Sequence, residues 1–268
     1  MERRGLQGRM AINDKTGISY PVYEVQQSPL VSIIIPSKDN VEILKQCIRS
    51  VYEHTTYPNY EIIVVDNGSS AQARMALQNF QEECAFTYLY EPLDFNFSVM
   101  CNLGAKKASG EYLLLLNDDM EVLADCADWL DRMVGQASLR HVGAVGAKLL
   151  YPNSTLIQHA GVTNTISGPG HKLKGLDDTQ SYYYGRNKLV YDMIGVTAAC
   201  LLIRTKVYRA LGGLYEGLRV AYNDVDLCFR LCEKGLCNVQ RNDVVLYHHE
   251  SLSRGDDMQD EGKFKRLM

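Results

Sequence analysis

Residues 113–122 read LLLLNDDMEV. Four consecutive leucines predict a strand buried on both faces, as in a parallel sheet covered by helices. The strand then ends in Asn117, Asp118 and Asp119. Two adjacent carboxylates repel each other unless water or a cation answers their charge. The stretch is therefore either a solvated turn or a place where something positive is held.

The segments around it set the fold class. VSIII (31–35) is β-branched and stops at Pro36, and VEILKQCIRSVY (41–52) places Val41, Leu44, Ile48 and Val51 on one helical stripe, with Asn40 positioned as its cap. EIIVVD (61–66) is a second strand, and GSS (68–70) opens a helix running to about residue 83. FTYLY (86–90), a helix near 97–108 ended by Gly110, and YLLLLN (112–117) continue the alternation. Strand–helix repetition of this kind predicts an α/β domain with a parallel sheet and helical crossovers. Beyond residue 140 the rhythm changes. VGAVGAKLL (142–150), QHAG (158–161) and TAACLLI (197–203) read as strands, and a loop rich in Gly, Lys, Asp and Tyr spans 167–188. NDVDLCFRLCEKG (223–235) reads as a capped helix, and VVLYHHESLSRG (244–255) as a strand entering a polar tail. Residues 1–30, polar and aperiodic, are expected to be a leader or linker. Residues 31–255 form the domain, with a first half at 31–120 and a second at 140–255, and 256–268 read as the start of a helix that is cut off.

Composition narrows the function. The chain has 268 residues, 46% hydrophobic and 22% charged, which suits a globular domain with a sizeable core. A formal charge of −4 gives no electrostatic footprint for a nucleic acid. The eight cysteines are scattered, and Cys228, Cys232 and Cys237 lack the C-x-x-C spacing of a metal knuckle. Free cysteines among apolar residues point to a reducing compartment. No apolar run approaches the ~20 residues of a spanning helix, and MERRGLQGRM is not followed by a signal-type apolar core. The expectation is a cytoplasmic protein without a membrane span, peripheral to the inner membrane surface if it associates with membrane.

In an open parallel sheet, ligands bind at the carboxyl ends of the strands. Here those ends carry PSKD (36–39), VDNGSS (65–70) and NDD (117–119), each with an aspartate. No G-x-G-x-x-G or Walker loop is present, so phosphates would be held through a divalent cation, magnesium or manganese. Taken singly, Asp66 with Gly68 and Ser69 suits a turn and helix cap; the coincidence of three acidic strand ends favours a site. On the helix at 223–235, Asp226 is explained by an i,i+4 pair with Arg230, whereas Asp224 lines up with Leu227, Cys228 and Leu231 on the inward face. An inward carboxylate at a helix start is the better general base. Either His248 or His249 could complete a cation site.

In this order and at these separations, VSIIIPSKDN, EIIVVDNGSS, LLLLNDDMEV, NDVDLCFR and YHHESLSRG resemble the inverting nucleotide-sugar glycosyltransferases of family 2, with the GT-A fold. The resemblance covers about residues 31–255 and is closest to bacterial members that build cell-surface polysaccharides. It implies a Rossmann-like, mostly parallel central sheet flanked by helices, with a C-terminal half that meets the acceptor. It implies that Pro36, Ser37, Asp39 and Asp66 hold the base and ribose, with Asn102 a further nucleotide-sugar contact. Asn117, Asp118 and Asp119 match the D-x-D element, Asp118 near the ribose and Asp119 on the metal (Mn2+ or Mg2+), which His248 completes. Asp224 matches the base that deprotonates the acceptor hydroxyl. Two positions depart from the pattern: Asn117 stands first in D-x-D, and Asn223 stands where Glu usually precedes the base.

The implied reaction moves a sugar from a UDP- or dTDP-sugar to a hydroxyl of a glycan or lipid-linked glycan, with Tyr182, Tyr183 and Tyr184 placed to close over a sugar. A nucleotidyltransferase would carry a glycine-rich loop with a basic residue where PSKDN stands, and a processive synthase would carry membrane helices and Q-x-x-R-W. The remaining alternative is a degenerate domain that binds nucleotide sugar or a partner protein without turnover.

Overall fold

The computed structural model describes residues 7–25, 27–166 and 168–249. Its strands are β1 (Gly8–Ile12), β2 (Ser19–Tyr23), β3 (Val31–Ser37), β4 (Tyr60–Asp66), β5 (Thr87–Tyr90), β6 (Tyr112–Leu116) and β7 (Met120–Val122). They continue as β8 (Val142–Leu150), β9 (Ile157–His159), β10 (Val162–Thr165), β11 (Gly168–His171), β12 (Val190–Met193), β13 (Cys200–Arg204) and β14 (Cys237–His248). The helices are α1 (Val41–His54), α2 (Ala71–Phe80), α3 (Phe97–Lys107), α4 (Trp129–Ala137), α5 (Thr205–Ala210) and α6 (Asn223–Glu233).

The central sheet runs β12-β14-β8-β13-β6-β3-β4-β5, with β7 added to β14 and β9 to β8. Pairings β6-β3-β4-β5 are parallel, as the strand–helix alternation predicts. Between β6 and β8 lies β13, antiparallel to both, while β14 lies parallel to β8. Successive residues of β3 serve opposite faces. Ile33 and Ile35 pack with Leu44, Leu77, Phe80, Trp129 and Met133 of α1, α2 and α4. Ile34 packs instead with Met100, Tyr208, Leu227 and Leu231 of α3, α5 and α6. The two-faced burial explains the unbroken apolar runs of β3 and β6. Helix α3 lies so close to the sheet that a Cβ at Gly104 would run into Ile34 Cγ2, which accounts for a glycine in mid-helix.

Several expectations are corrected. Residues 8–23 are not a linker but an antiparallel hairpin, and the backbone of Tyr23 touches Gly135 of α4 so closely that a side chain there would collide. Its strands are short and interrupted by Pro21, which masked the signal. Asn40 holds the N-cap position of α1, its carbonyl accepting from Leu44 N, but its side chain makes no capping hydrogen bond and Nδ2 lies 3.4 Å from Asp118 Oδ2. Ser70, by contrast, caps α2 by accepting from Ala73 N, and that helix ends at Phe80 rather than near 83. The apolar stretch 197–203 becomes a strand only from Cys200. Asn223 is the first residue of α6, and the N-cap is Tyr222, with φ of 62°. Residues 250–268, on which the expected SRG turn and helix start fall, lie outside the described residues. Among the described residues, no helix is long and apolar enough to cross a membrane.

The segment at 168–188 is anchored rather than open. Lys148 of β8, 1% exposed, donates to Asp178 Oδ2 and Asn187 O at 2.8 Å each, and Lys188 also meets Asp178 at 2.8 Å. Tyr182 N donates to Asn187 Oδ1, and a Cβ at Gly185 would touch Thr16 of the hairpin turn. The tyrosine turn therefore packs toward the hairpin, and Tyr183 and Tyr184 point to solvent at φ of 47° and 60°. Burial pulls the Lys148 ammonium down to about 8, against the opposing pull of Asp178. Between about 8 and the ordinary 10.5 the unfolded chain binds the extra proton, so stability rises with pH through that window. Denaturant unfolding of wild type minus Lys148→Met is expected to increase from pH 8 to 10.5; a flat difference would contradict a strained buried ammonium.

Candidate active site

The three acidic strand ends converge at the carboxyl edge of β3, β4 and β6, and each aspartate has a different task. Asp66 is fully buried: Oδ1 accepts from Gly68 N (2.9 Å) and Ser69 N (2.8 Å), and Oδ2 accepts from Tyr88 Oη. Burial first, and the Asp66 hydrogen bond second, push the Tyr88 phenol well up, so it stays a donor. Asp66 thus shapes the 66–70 turn at the carboxyl end of β4. Asp39 joins that turn to the end of β3: its N donates to Ser69 Oγ and its Oδ1 accepts from Ser70 N, each at 2.8 Å. It does so at φ of 58°, a left-handed conformation that aspartate tolerates. Pro36 and Ser37 end the strand buried, and Ser37 Oγ donates to Asp118 Oδ2 at 2.7 Å. Asp118 therefore ties β6 to β3.

Asn102 is held by four hydrogen bonds within the protein. Its Nδ2 donates to Leu214 O (2.9 Å) and Glu216 Oε1 (3.0 Å), while its Oδ1 accepts from Tyr208 Oη (2.7 Å) and Leu214 N (3.0 Å). With both ends of the carboxamide engaged, Asn102 braces the 214–216 segment.

At Asp119 the chain brings in a partner from 129 positions away. Strand β14 pairs with β7 in the register His248↔Met120, and His249 N donates to Asp119 O at 2.9 Å. This places His248 Nε2 3.1 Å from Asp119 Oδ1, with both side chains about nine-tenths buried. Asn117 Nδ2 lies 3.3 Å from the same Nε2. His249 turns away and pairs with Glu121 at 2.7 Å, which decides between the two histidines for the place beside Asp119. Among the described residues no third His, Cys, Asp or Glu joins the pair. Asp119 and His248 would suit a hard cation that takes its other ligands from phosphate oxygens and water.

Asp224 stands beside this pair through backbone. Its Oδ2 accepts from Ala198 N at 3.0 Å, and the next residue, Ala199, accepts from Asn117 N at 3.0 Å. The half-buried carboxylate of α6 is thus joined by two hydrogen bonds and one peptide to the NDD turn. Asp226 is occupied as the spacing predicts, accepting from Arg230 Nη2 at 2.7 Å, and the same guanidinium holds Leu211 O and Gly213 O. Sequence reasoning missed Cys47, which donates from Sγ to Asn117 O at 3.6 Å beneath the turn. Burial, then the charges of Asp118 and Asp119, push its thiol well up and keep it a donor.

Solved structures share this architecture. A mannosyltransferase from Pyrobaculum calidifontis, in complex with GDP-Man and Mn2+, superposes with a TM-score of 0.65 at 18% identity, over 86% of this chain and 59% of that one. GalNAc-T7 with UDP, GalNAc and Mn2+ gives 0.66 at 13% identity, over 90% and 47%. The fold is GT-A, the fold of nucleotide-sugar glycosyltransferases. The model of glycosyl transferase family 2 matches residues 32–212, and the chain belongs to that family. Among curated relatives, protein y4gI of Sinorhizobium fredii, itself uncharacterized, is 38% identical over 98% of this chain. The O-antigen biosynthesis protein RfbC of Myxococcus xanthus is 38% identical over 96%. The chain spans 30% and 20% of those two proteins' lengths. The family match ends before Asp224 and His248.

Proposed function

We propose that this domain is an inverting, cation-dependent glycosyltransferase that moves a sugar from a UDP- or dTDP-sugar to a hydroxyl of a glycan, free or lipid-linked, in the synthesis of a surface polysaccharide. The observation that carries the reading is the meeting of Asp119 and His248 at the carboxyl edge of the sheet, with Asp224 tied to the same turn. Asp119 and His248 would hold Mn2+ or Mg2+. When bound, the cation neutralises charge gathering on the departing nucleoside diphosphate. Asp224 takes the proton of the acceptor hydroxyl as that oxygen bonds to the anomeric carbon and the bond to the diphosphate breaks. Attack from the face opposite the leaving group inverts the centre. The kinship with an O-antigen biosynthesis protein supports the polysaccharide assignment.

The test is thermal unfolding with UDP or dTDP, in Mn2+ or in chelator. At a hundredfold excess over Kd the nucleotide should add about 2.7 kcal/mol, with metal only. A metal-dependent shift without turnover on any acceptor would favour the degenerate binding domain. No shift with any nucleotide would overturn both readings.

A further inference from the structure

Strand β9 pairs with β8 in an irregular register: Leu149 faces His159 but Leu150 faces Ile157, leaving Gln158 as the extra residue of a β-bulge. Bulges re-aim side chains, frequently beside active sites. The Gln158 side chain, 3% exposed, meets His248: Oε1 lies 2.6 Å from Nδ1, and Nε2 lies 3.4 Å from the His248 carbonyl oxygen. That carbonyl can only accept, so the amide nitrogen must face it and the amide oxygen must face the ring. Nδ1 is then the nitrogen that carries hydrogen.

We infer that Gln158 is a positioning residue for the cation site: by accepting from His248 Nδ1–H, it holds the imidazole so that the Nε2 lone pair is available to a cation shared with Asp119. Partners of this kind on the second ring nitrogen fix the tautomer and orientation of metal-binding histidines. The inference rests on the proposed cation-dependent reading. It adds a residue that no strand-end pattern marks, since Gln158 lies in the second half of the chain and reaches its place only through the bulge. The contact has a second consequence. Because Gln158 grips both the ring and the carbonyl of His248, it also fixes the end of β14 against β9.

The experiment uses the full chain as wild type, Gln158→Met and Gln158→Glu. Methionine keeps the volume and removes the acceptor, whereas glutamate restores it. Mn2+ affinity is titrated calorimetrically with UDP present, and histidine 15N shifts are recorded without metal. Gln158→Met should weaken Mn2+ binding by about 10–100-fold, and Gln158→Glu should stay within a few-fold of wild type. The metal-free wild type should show His248 with hydrogen on Nδ1, and Gln158→Met should lose that preference. Equal Mn2+ affinity in wild type and Gln158→Met overturns the inference. So does equal loss in both variants, which would mark a purely structural residue. If wild type binds no Mn2+ at all, the cation reading falls. The nitrogen shifts then decide Gln158 alone, and a His248 with hydrogen only on Nε2 overturns it.

Discussion

Asp224→Asn is expected to lower the rate of sugar transfer by about 10²–10⁴-fold while leaving donor binding intact. The amide keeps an oxygen for Ala198 N, so the hydrogen bond that ties α6 to the 197–199 segment survives. What disappears is the ability to take a proton, together with the Oδ1 acceptor of Val225 N at the start of α6. The carboxylate sits in the first turn of α6, where the helix terminus favours negative charge, and it is only half-buried, leaving room for an acceptor hydroxyl. Initial rates with donor saturating, compared with the nucleotide-induced thermal shift, separate the two effects. A variant transferring within tenfold of wild type would remove Asp224 from the role of base. A loss of the thermal shift would instead mean that the substitution disturbed the neighbouring NDD turn.

Asp119→Asn is expected to abolish most of the metal-linked stabilisation by nucleotide. The backbone oxygen of Asp119 still accepts from His249 N, so the junction of β7 with β14 is retained. The charged ligand beside His248 Nε2 is lost. If the Kd for the metal–nucleotide complex rises a hundredfold, a ligand concentration that gave about 2.7 kcal/mol now gives about 0.4 kcal/mol. Paired melting curves with Mn2+ and UDP, against chelator and UDP, measure it directly. An undiminished shift would place the cation elsewhere. Asp118→Asn provides the contrast, because Asp118 is engaged with Ser37 Oγ and its loss should act first on the β3–β6 junction.

Much of this was legible in the chain before any coordinates. The leucines at 113–116 require apolar cover on two faces, and the spacing of apolar residues at 41–52 requires a helix to supply part of it; together they fix a layered α/β domain. The same local rules brought the aspartates of PSKD, VDNGSS and NDD to one edge, because parallel strands end on the same side. The orientation of Asp224 followed from helical geometry alone.

Tertiary structure decided what depends on pairing between distant segments. The antiparallel insertion of β13 between β6 and β8 has no local signature, since its apolar run suits either direction. The partners that Asp66 and Asn102 meet inside the protein, Tyr88, Leu214, Tyr208 and Glu216, were chosen by packing and have no local signature. His248 and His249 are equivalent by spacing; the pleat of β14 against β7 turns one to Asp119 and the other to Glu121. Gln158 owes its position to one extra residue in a strand. Sequence by itself determined which elements form and which edge carries the acids, because those follow from local periodicity. Only the tertiary structure determined which side chains meet one another at that edge, because a hydrogen-bonding group is engaged by whichever neighbour the fold brings within about 3 Å.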